Sequence, residues 1–231
     1  MKRLLLFDID GTILSTNGAA KRGFHRALLE VFGTAGPIAT HPFDGKTDPQ
    51  IARELLSAAG VSDAAIDAGM DDLWRVYLRE LAAELAQPNH QTTVLPGVRE
   101  VLDALEPYRS SVLIGLLTGN IERGAELKLG SVGLADRFVM GAYGSDHERR
   151  DQLPAFAVER ARALTGRSFT GSEIVIVGDT PYDITCGQSL GVRAVGVATG
   201  RYAEAELNAA GAWRVFPDLS DTPAVLETLL G

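Results

Sequence analysis

Only one cysteine, Cys186, occurs in the 231 residues. That excludes an intrachain disulfide and a paired-cysteine metal site, and it fits a reducing compartment, so a cytoplasmic location is expected. Cys186 itself reads as a small buried hydrophobe. No asparagine stands in an N-x-[ST] glycosylation triplet. No apolar run approaches the roughly 20 residues that a membrane-crossing helix needs. Lys2 and Arg3 precede an apolar run, but Asp8 interrupts it, so the segment does not read as a signal peptide. Positive charge is also scarce: 22 Lys and Arg against 30 Asp and Glu leave a net charge of −8. Nonspecific nucleic-acid binding needs a basic surface, so neither a nucleic-acid nor a membrane partner is expected. Internal repeats and low-complexity tracts are absent.

What is present reads as α/β, with 45% hydrophobic residues, enough for one good core and a small accessory domain. The most informative stretch is Leu4-Leu5-Leu6-Phe7-Asp8-Ile9-Asp10-Gly11-Thr12. An apolar run of strand length reads as a strand buried on both faces of a parallel sheet. It ends at two carboxylates and then breaks at a glycine, which lets the backbone turn back over them. Ligands of open α/β sheets bind just beyond the carboxyl ends of the strands, which is where Asp8 and Asp10 fall. Two acids there form a hard oxygen site suited to Mg²⁺, and a carboxylate held beside a cation and a phosphate can act as a nucleophile.

Strand and helix signals then alternate, the pattern that builds a parallel sheet. The spacing predicts a helix over Ala19 to Phe32 and another from Ile51 to Ala59. A longer stripe carries Leu73, Val76, Tyr77, Leu81 and Leu85, and Pro88 to Thr93 reads as a linker. Residues 16–88 therefore form a mostly helical insert, with 1–15 and 89–231 making the α/β core. In the core, Pro96-Gly97 opens a helix with Val98, Val101, Leu102 and Leu105 on one face. Strands are predicted over Val112–Leu117, Phe138–Ala142, Ile174–Val177, Ala194–Val197 and Trp213–Phe216, and a helix over Gln152–Leu164.

Three strands thus end in polar groups: Asp8 and Asp10, Thr118 and Asn120, and Asp179 with Asp183 four residues on. The motifs Asp8-Ile9-Asp10-Gly11-Thr12, the apolar strand ending in Thr118, and Gly178-Asp179-Thr180-Pro181-Tyr182-Asp183 resemble the signatures of the haloacid dehalogenase superfamily. The helical insert resembles its mobile α-helical cap. Leu95-Pro96-Gly97-Val98 and Leu117-Thr118-Gly119-Asn120 look most like its phosphoglycolate-phosphatase-like branch. The likeness covers nearly the whole chain in the right order.

That resemblance implies a Rossmann-like core and a Mg²⁺-dependent phosphatase for a small phosphorylated substrate, as a monomer or homodimer. Asp8 would attack phosphorus to give an aspartyl-phosphate, and Asp10 would protonate the leaving alkoxide and later take a proton from water. The expected metal ligands are Asp8, the Asp10 backbone carbonyl and Asp179, with Asp183 one helical turn beyond, supporting the metal site or holding Arg150. Phosphate contacts are expected from Gly11, Thr12, Thr118, Gly119 and Asn120, with a helix-capping role equally open for Asn120.

One element departs from the pattern. The superfamily's third motif carries a lysine between the Thr118 and Asp179 strands, and Gly144 to Pro154 has none. Lys128 comes too early, on the preceding helix. Arg150, just before the next helix, is assigned that role, with Arg149 as runner-up, because arginine can bridge a carboxylate and a phosphate.

Two other motifs fail on context. Gly45-Lys46-Thr47 ends like a P-loop but lacks the earlier glycine and the preceding strand; Lys46 is better read as facing the active site from the insert, where it is expected to contact the substrate or its phosphate. Gly187-Gln188-Ser189-Leu190-Gly191 matches a nucleophile elbow, yet lies in the helix after Asp183 and has no histidine downstream. Competing expectations are a phosphosugar mutase with the same two aspartates, a phosphonate hydrolase using Lys46, a dehalogenase, or a non-catalytic binding module.

Overall fold

Leu4, Leu5 and Leu6 are fully buried in the first strand, β1 (Arg3–Phe7). In the computed structural model, which describes residues 2–231, β1 lies inside a sheet with β4 (Val112–Leu117), β5 (Gly141–Ala142), β6 (Ile174–Gly178), β7 (Arg193–Val197) and β8 (Arg214–Phe216). All pairings are parallel, in the order β5-β4-β1-β6-β7-β8. Leu5 is level with Ile114 on one side and Val175 on the other, so three neighbouring strands finish at one height.

Parallel strands need crossovers, and helices supply them on both faces. Side chains alternate along a strand. Leu5 and Phe7 pack towards α4 (Val98–Leu105), α5 (Glu122–Gly130) and α9 (Thr222–Leu230), whereas Leu4 and Leu6 face α6 (Leu153–Thr165) and Cys186 of α7 (Pro181–Cys186). Helix α8 (Glu204–Ala209) covers the β7–β8 side through Leu207.

Between β1 and α4 the chain leaves the sheet. A short antiparallel pair, β2 (Leu14–Ser15) with β3 (Thr93–Val94), joins the two ends of a helical excursion. Its helices are α1 (Ala19–Phe32), α2 (Asp48–Ala58) and α3 (Asp63–Leu85). Phe24, Leu28, Leu55, Leu73, Tyr77 and Leu81 form an apolar cluster there, with Phe24 and Tyr77 edge to face at 5.0 Å. Ile121, from the loop after β4, plugs into that cluster.

Several boundaries move for identifiable reasons. Helix α2 begins at Asp48 rather than Ile51, because the Thr47 hydroxyl accepts from the Gln50 N–H and Pro49 fits a first turn. The linker predicted to end at Thr93 gives way to β3 there. The strand predicted from Phe138 narrows to Gly141–Ala142: it is an edge strand with one neighbour, and Val139 and Met140 make only isolated bonds to Ile114 and Leu116. The elbow-like motif lies just past α7, in a short 3₁₀ turn over Gln188–Leu190, with Ser189 exposed. Among the described residues, no helix is long and apolar enough to cross a membrane.

Candidate active site

The sheet order puts the ends of β4, β1 and β6 side by side, so Thr118, Asp8 and Asp179 emerge as neighbours. The Asp8 N–H still donates to the Val177 carbonyl at 2.9 Å, which extends the ladder and fixes its side chain. Carboxylate oxygens of Asp8, Asp179 and Asp183 all lie within 4.8 Å of one another, and all three residues are buried. Asp183 is held from its own helix start: the Thr180 hydroxyl and N–H donate to its Oδ2 at 2.8 and 3.0 Å. Arg150, in a 3₁₀ turn leading into α6, lies 3.2 Å from Asp8 Oδ1 and pairs with Asp183. Arg149 turns to the surface and pairs with Asp151.

Concentrating acids in a buried place has an electrostatic consequence. The Asp8 carboxyl is pushed up to about 6, first by burial; Arg150 pulls it down, and Asp183 and Asp10 push it up again. Asp179 is raised well above the carboxylate range for the same reason, burial first and then Asp183 and Asp8. Burial by itself would weaken the Arg150 charge, but Asp183 and Asp8 more than compensate and strengthen it. A hard cation fits such a set: oxygen donors only, close together, with too little positive charge nearby.

Asp10 sits at the cavity floor, where its Oδ2 accepts from Lys128 Nζ at 2.6 Å and from Asn120 Nδ2 at 2.8 Å. Several residues expected at the phosphate have other partners. The Gly11 N–H donates to the Leu14 carbonyl at 3.0 Å. Gly11 instead provides room: its φ is +81°, and a Cβ there would stand 2.3 Å from an Asp179 oxygen. The Thr12 hydroxyl donates to Asp179 Oδ1 at 3.0 Å, so it braces the acidic cluster. Asn120 spans Thr118 Oγ1 and Asp10 with its amide nitrogen and accepts from Lys128 at 2.5 Å with its oxygen. Lys46 lines the cavity but pairs with Glu54 at 2.5 Å. Gly119 offers close backbone approach: a Cβ would stand 2.0 Å from the Lys46 carbonyl, and the Asp48 N–H donates to the Gly119 carbonyl at 2.7 Å. Thr118 is fully buried at the cavity floor.

Two residues escape sequence reasoning. Lys128 lies too early for the third motif, yet α5 returns it to Asp10. Its signal is a lone charge on the apolar face that Ala125 and Leu129 define. Asp48 precedes the helix predicted from Ile51, yet it opens α2 and its Oδ2 accepts from the Ile121 N–H at 2.9 Å. The cavity above these groups holds about 520 Å³, and the insert roofs it with Lys21, His41, Phe43 and Lys46.

Known proteins resemble this chain in sequence and in fold. Residues 5–197 match the family model described as haloacid dehalogenase-like hydrolase. Among curated relatives, phosphoglycolate phosphatase of Pseudomonas fluorescens is 26% identical over 204 residues, covering 87% of this chain and 71% of that one. The phosphoglycolate phosphatase of Rhodospirillum rubrum is 25% identical over 225 residues, covering 95% and 89%. Among solved structures, CbbY from Rhodobacter sphaeroides in complex with phosphate superposes with a TM-score of 0.73 at 17% identity, covering 100% of both chains. A predicted phosphatase from Clostridium acetobutylicum gives 0.73 at 15%, covering 98% of this chain and 99% of that one. The family match spans most of the sequence, including the ends of β1, β4 and β6, and the chain belongs to the haloacid dehalogenase-like hydrolases.

Proposed function

We propose that the chain is a Mg²⁺-dependent phosphatase for a small phosphorylated metabolite, with residues 16–88 acting as a cap over the site. The observation that carries the reading is Asp8 beside Arg150 at 3.2 Å, with Asp10 two residues on, both at the floor of one cavity. The names of the relatives support a phosphomonoester, and 520 Å³ leaves room for one larger than a two-carbon acid.

Asp8 forms a bond to phosphorus as the bond to the leaving oxygen breaks, and that oxygen keeps the electron pair. Asp10 delivers the proton that this oxygen takes up. In the second half, Asp10 removes a proton from the attacking water, whose oxygen bonds to phosphorus and frees the Asp8 carboxylate. Arg150 keeps Asp8 aligned through both halves and balances charge on the transferring group. The Thr118 hydroxyl and the Gly119 turn face the phosphoryl oxygens. Asp8, Asp179 and the Asp10 backbone carbonyl would hold Mg²⁺, which supplies charge neutralisation of the phosphoryl oxygens when bound. Pairing of Lys46 with Glu54 argues against an imine-forming amine, and so against phosphonate hydrolysis.

The test is a panel of small phosphomonoesters with Mg²⁺ or with EDTA, on the wild-type chain and Asp8→Asn. Mg²⁺-dependent release of phosphate is expected, with turnover falling by several powers of ten in the variant. An Asp8→Asn chain retaining more than a few per cent of wild-type turnover would sink the covalent mechanism.

A further inference from the structure

The two carboxylate oxygens of Asp10 have different surroundings. Oδ2 takes both Lys128 Nζ and Asn120 Nδ2. Among the described residues, no protein donor reaches Oδ1, which belongs to a side chain 45% exposed at the cavity floor. Lys128 is the reverse, with a side chain 4% exposed. A buried ammonium is costly unless its donors are met. Two of them are, by Asp10 at 2.6 Å and by Asn120 Oδ1 at 2.5 Å. Asn120 is anchored in turn on Thr118 Oγ1 at 2.8 Å. The chain of contacts Asp10–Lys128–Asn120–Thr118 therefore ties the end of β1 to the end of β4. Arg150 takes no part in it, being committed to Asp8, Asp183 and the carbonyls of Gly45 and Leu117.

We infer that Lys128 is a positioning residue for the reaction: it pins Oδ2 of Asp10, so that Oδ1 is the oxygen presented to the leaving group. The inference rests on the phosphatase reading, in which the proton on Oδ1 passes to the leaving oxygen as the phosphorus–oxygen bond breaks. Lys128 acts through Asp10 and touches neither phosphorus nor the leaving oxygen. The site thus carries two separate cations with divided duties, Arg150 for the nucleophile and Lys128 for the proton carrier.

A structural role alone would slow every substrate alike, whereas a role through Asp10 depends on the leaving group. Alkoxides need protonation on departure, and 4-nitrophenolate does not. Rates are measured on 2-phosphoglycolate, glycerol 2-phosphate and 4-nitrophenyl phosphate for the wild type, Lys128→Ala, Asp10→Asn and the double variant. Lys128→Ala should slow the alkyl esters by roughly 10²-fold, within the range general acid catalysis supplies. It should slow the nitrophenyl ester only a few-fold. The double variant should be no slower than Asp10→Asn, as expected of groups acting as one unit. Ethylammonium in the buffer should restore part of the alkyl-ester rate to Lys128→Ala. Thermal melts check the fold, and Lys128→Met, which keeps the buried stem, replaces the alanine variant if that one melts early. Equal losses on all esters, or losses that multiply in the double variant, would overturn the assignment. No turnover of any ester by the wild type would defeat the phosphatase reading itself, and the positioning role with it.

Discussion

Arg150 bridges two buried carboxylates, Asp8 and Asp183. Its side chain is 5% exposed and Asp183 is fully buried, so removing the guanidinium strands an acid in the interior. Breaking a buried pair on one side costs about 3–5 kcal/mol, and the same change takes charge away from the nucleophile. Arg150→Ala is therefore expected to lose both turnover and several kcal/mol of stability. Arg150→Lys should recover part of each, because a compact ammonium still balances the charge of Asp8 and Asp183 but lacks the second nitrogen that reaches the Gly45 carbonyl. Arg149 pairs with Asp151 at the surface, where such pairs contribute about 0–1 kcal/mol, so Arg149→Ala should match the wild type. Turnover and urea midpoints for the three variants separate these outcomes. A silent Arg150→Ala would remove the residue from the site.

At the scale of elements, the start of α2 works as a fastener. The Thr47 hydroxyl donates to the Glu148 carbonyl at 2.5 Å, the Asp48 N–H to Gly119, and the Ile121 N–H to the Asp48 carboxylate. Burial pushes the Asp48 carboxyl up to about 6, with Lys128 and the Ile121 N–H pulling the other way and Asp10 adding to the rise. The folded chain therefore holds this proton more tightly than the unfolded chain, whose carboxyl is near 4. The stability Asp48 contributes is fully present below about pH 4 and is lost as pH rises through about 6. Two units correspond to roughly 3 kcal/mol. Asp48→Asn keeps an acceptor for Ile121 without the ionisation. It should be at least as stable as the wild type at pH 7.5, and the wild type should gain on it as pH falls from 6 to 4. Melting temperatures of both chains across that range give the sign directly, and a difference that does not move with pH would refute the burial argument.

Over the whole molecule, the face where the strands end carries an excess of acid. Asp8, Asp179 and Asp183 cluster around one arginine, and Asp10 sits beside one lysine. A bound divalent cation would relieve that repulsion only in the folded state, so it should stabilise the fold by mass action. At a hundred times its dissociation constant it would add about 2.7 kcal/mol, or roughly 5–10 °C in a chain of this size. Mg²⁺ in place of EDTA at pH 7.5 should raise Tm by that order. Asp179→Asn should lose the response, yet melt at least as high as the wild type in EDTA, having shed one repelling charge. A wild-type Tm indifferent to Mg²⁺, Mn²⁺ and Ca²⁺ would rule out a cation site here.

Local order determined much of this protein. The Leu4–Phe7 run specifies a strand because every residue in it is apolar, and the stripe through Leu73, Tyr77 and Leu81 specifies a helix because those positions share one side. The polar strand ends, Asp8, Thr118 and Asp179, were legible for the same reason: each closes an apolar run within a few residues. Which strand lies beside which was not legible, and the partners of the site follow from that. Thr12 meets Asp179 across 167 positions and Lys128 meets Asp10 across 118, so neither pairing leaves a trace in any local window. Phe138–Met140 has the composition of a strand, yet at the sheet edge only one neighbour is there to bond it. Composition and periodicity act between residues a turn or two apart. Placing β1 between β4 and β6 is a packing outcome that brings three separated motifs together, and the docking of α5 and α2 adds Lys128 and Asp48 to them.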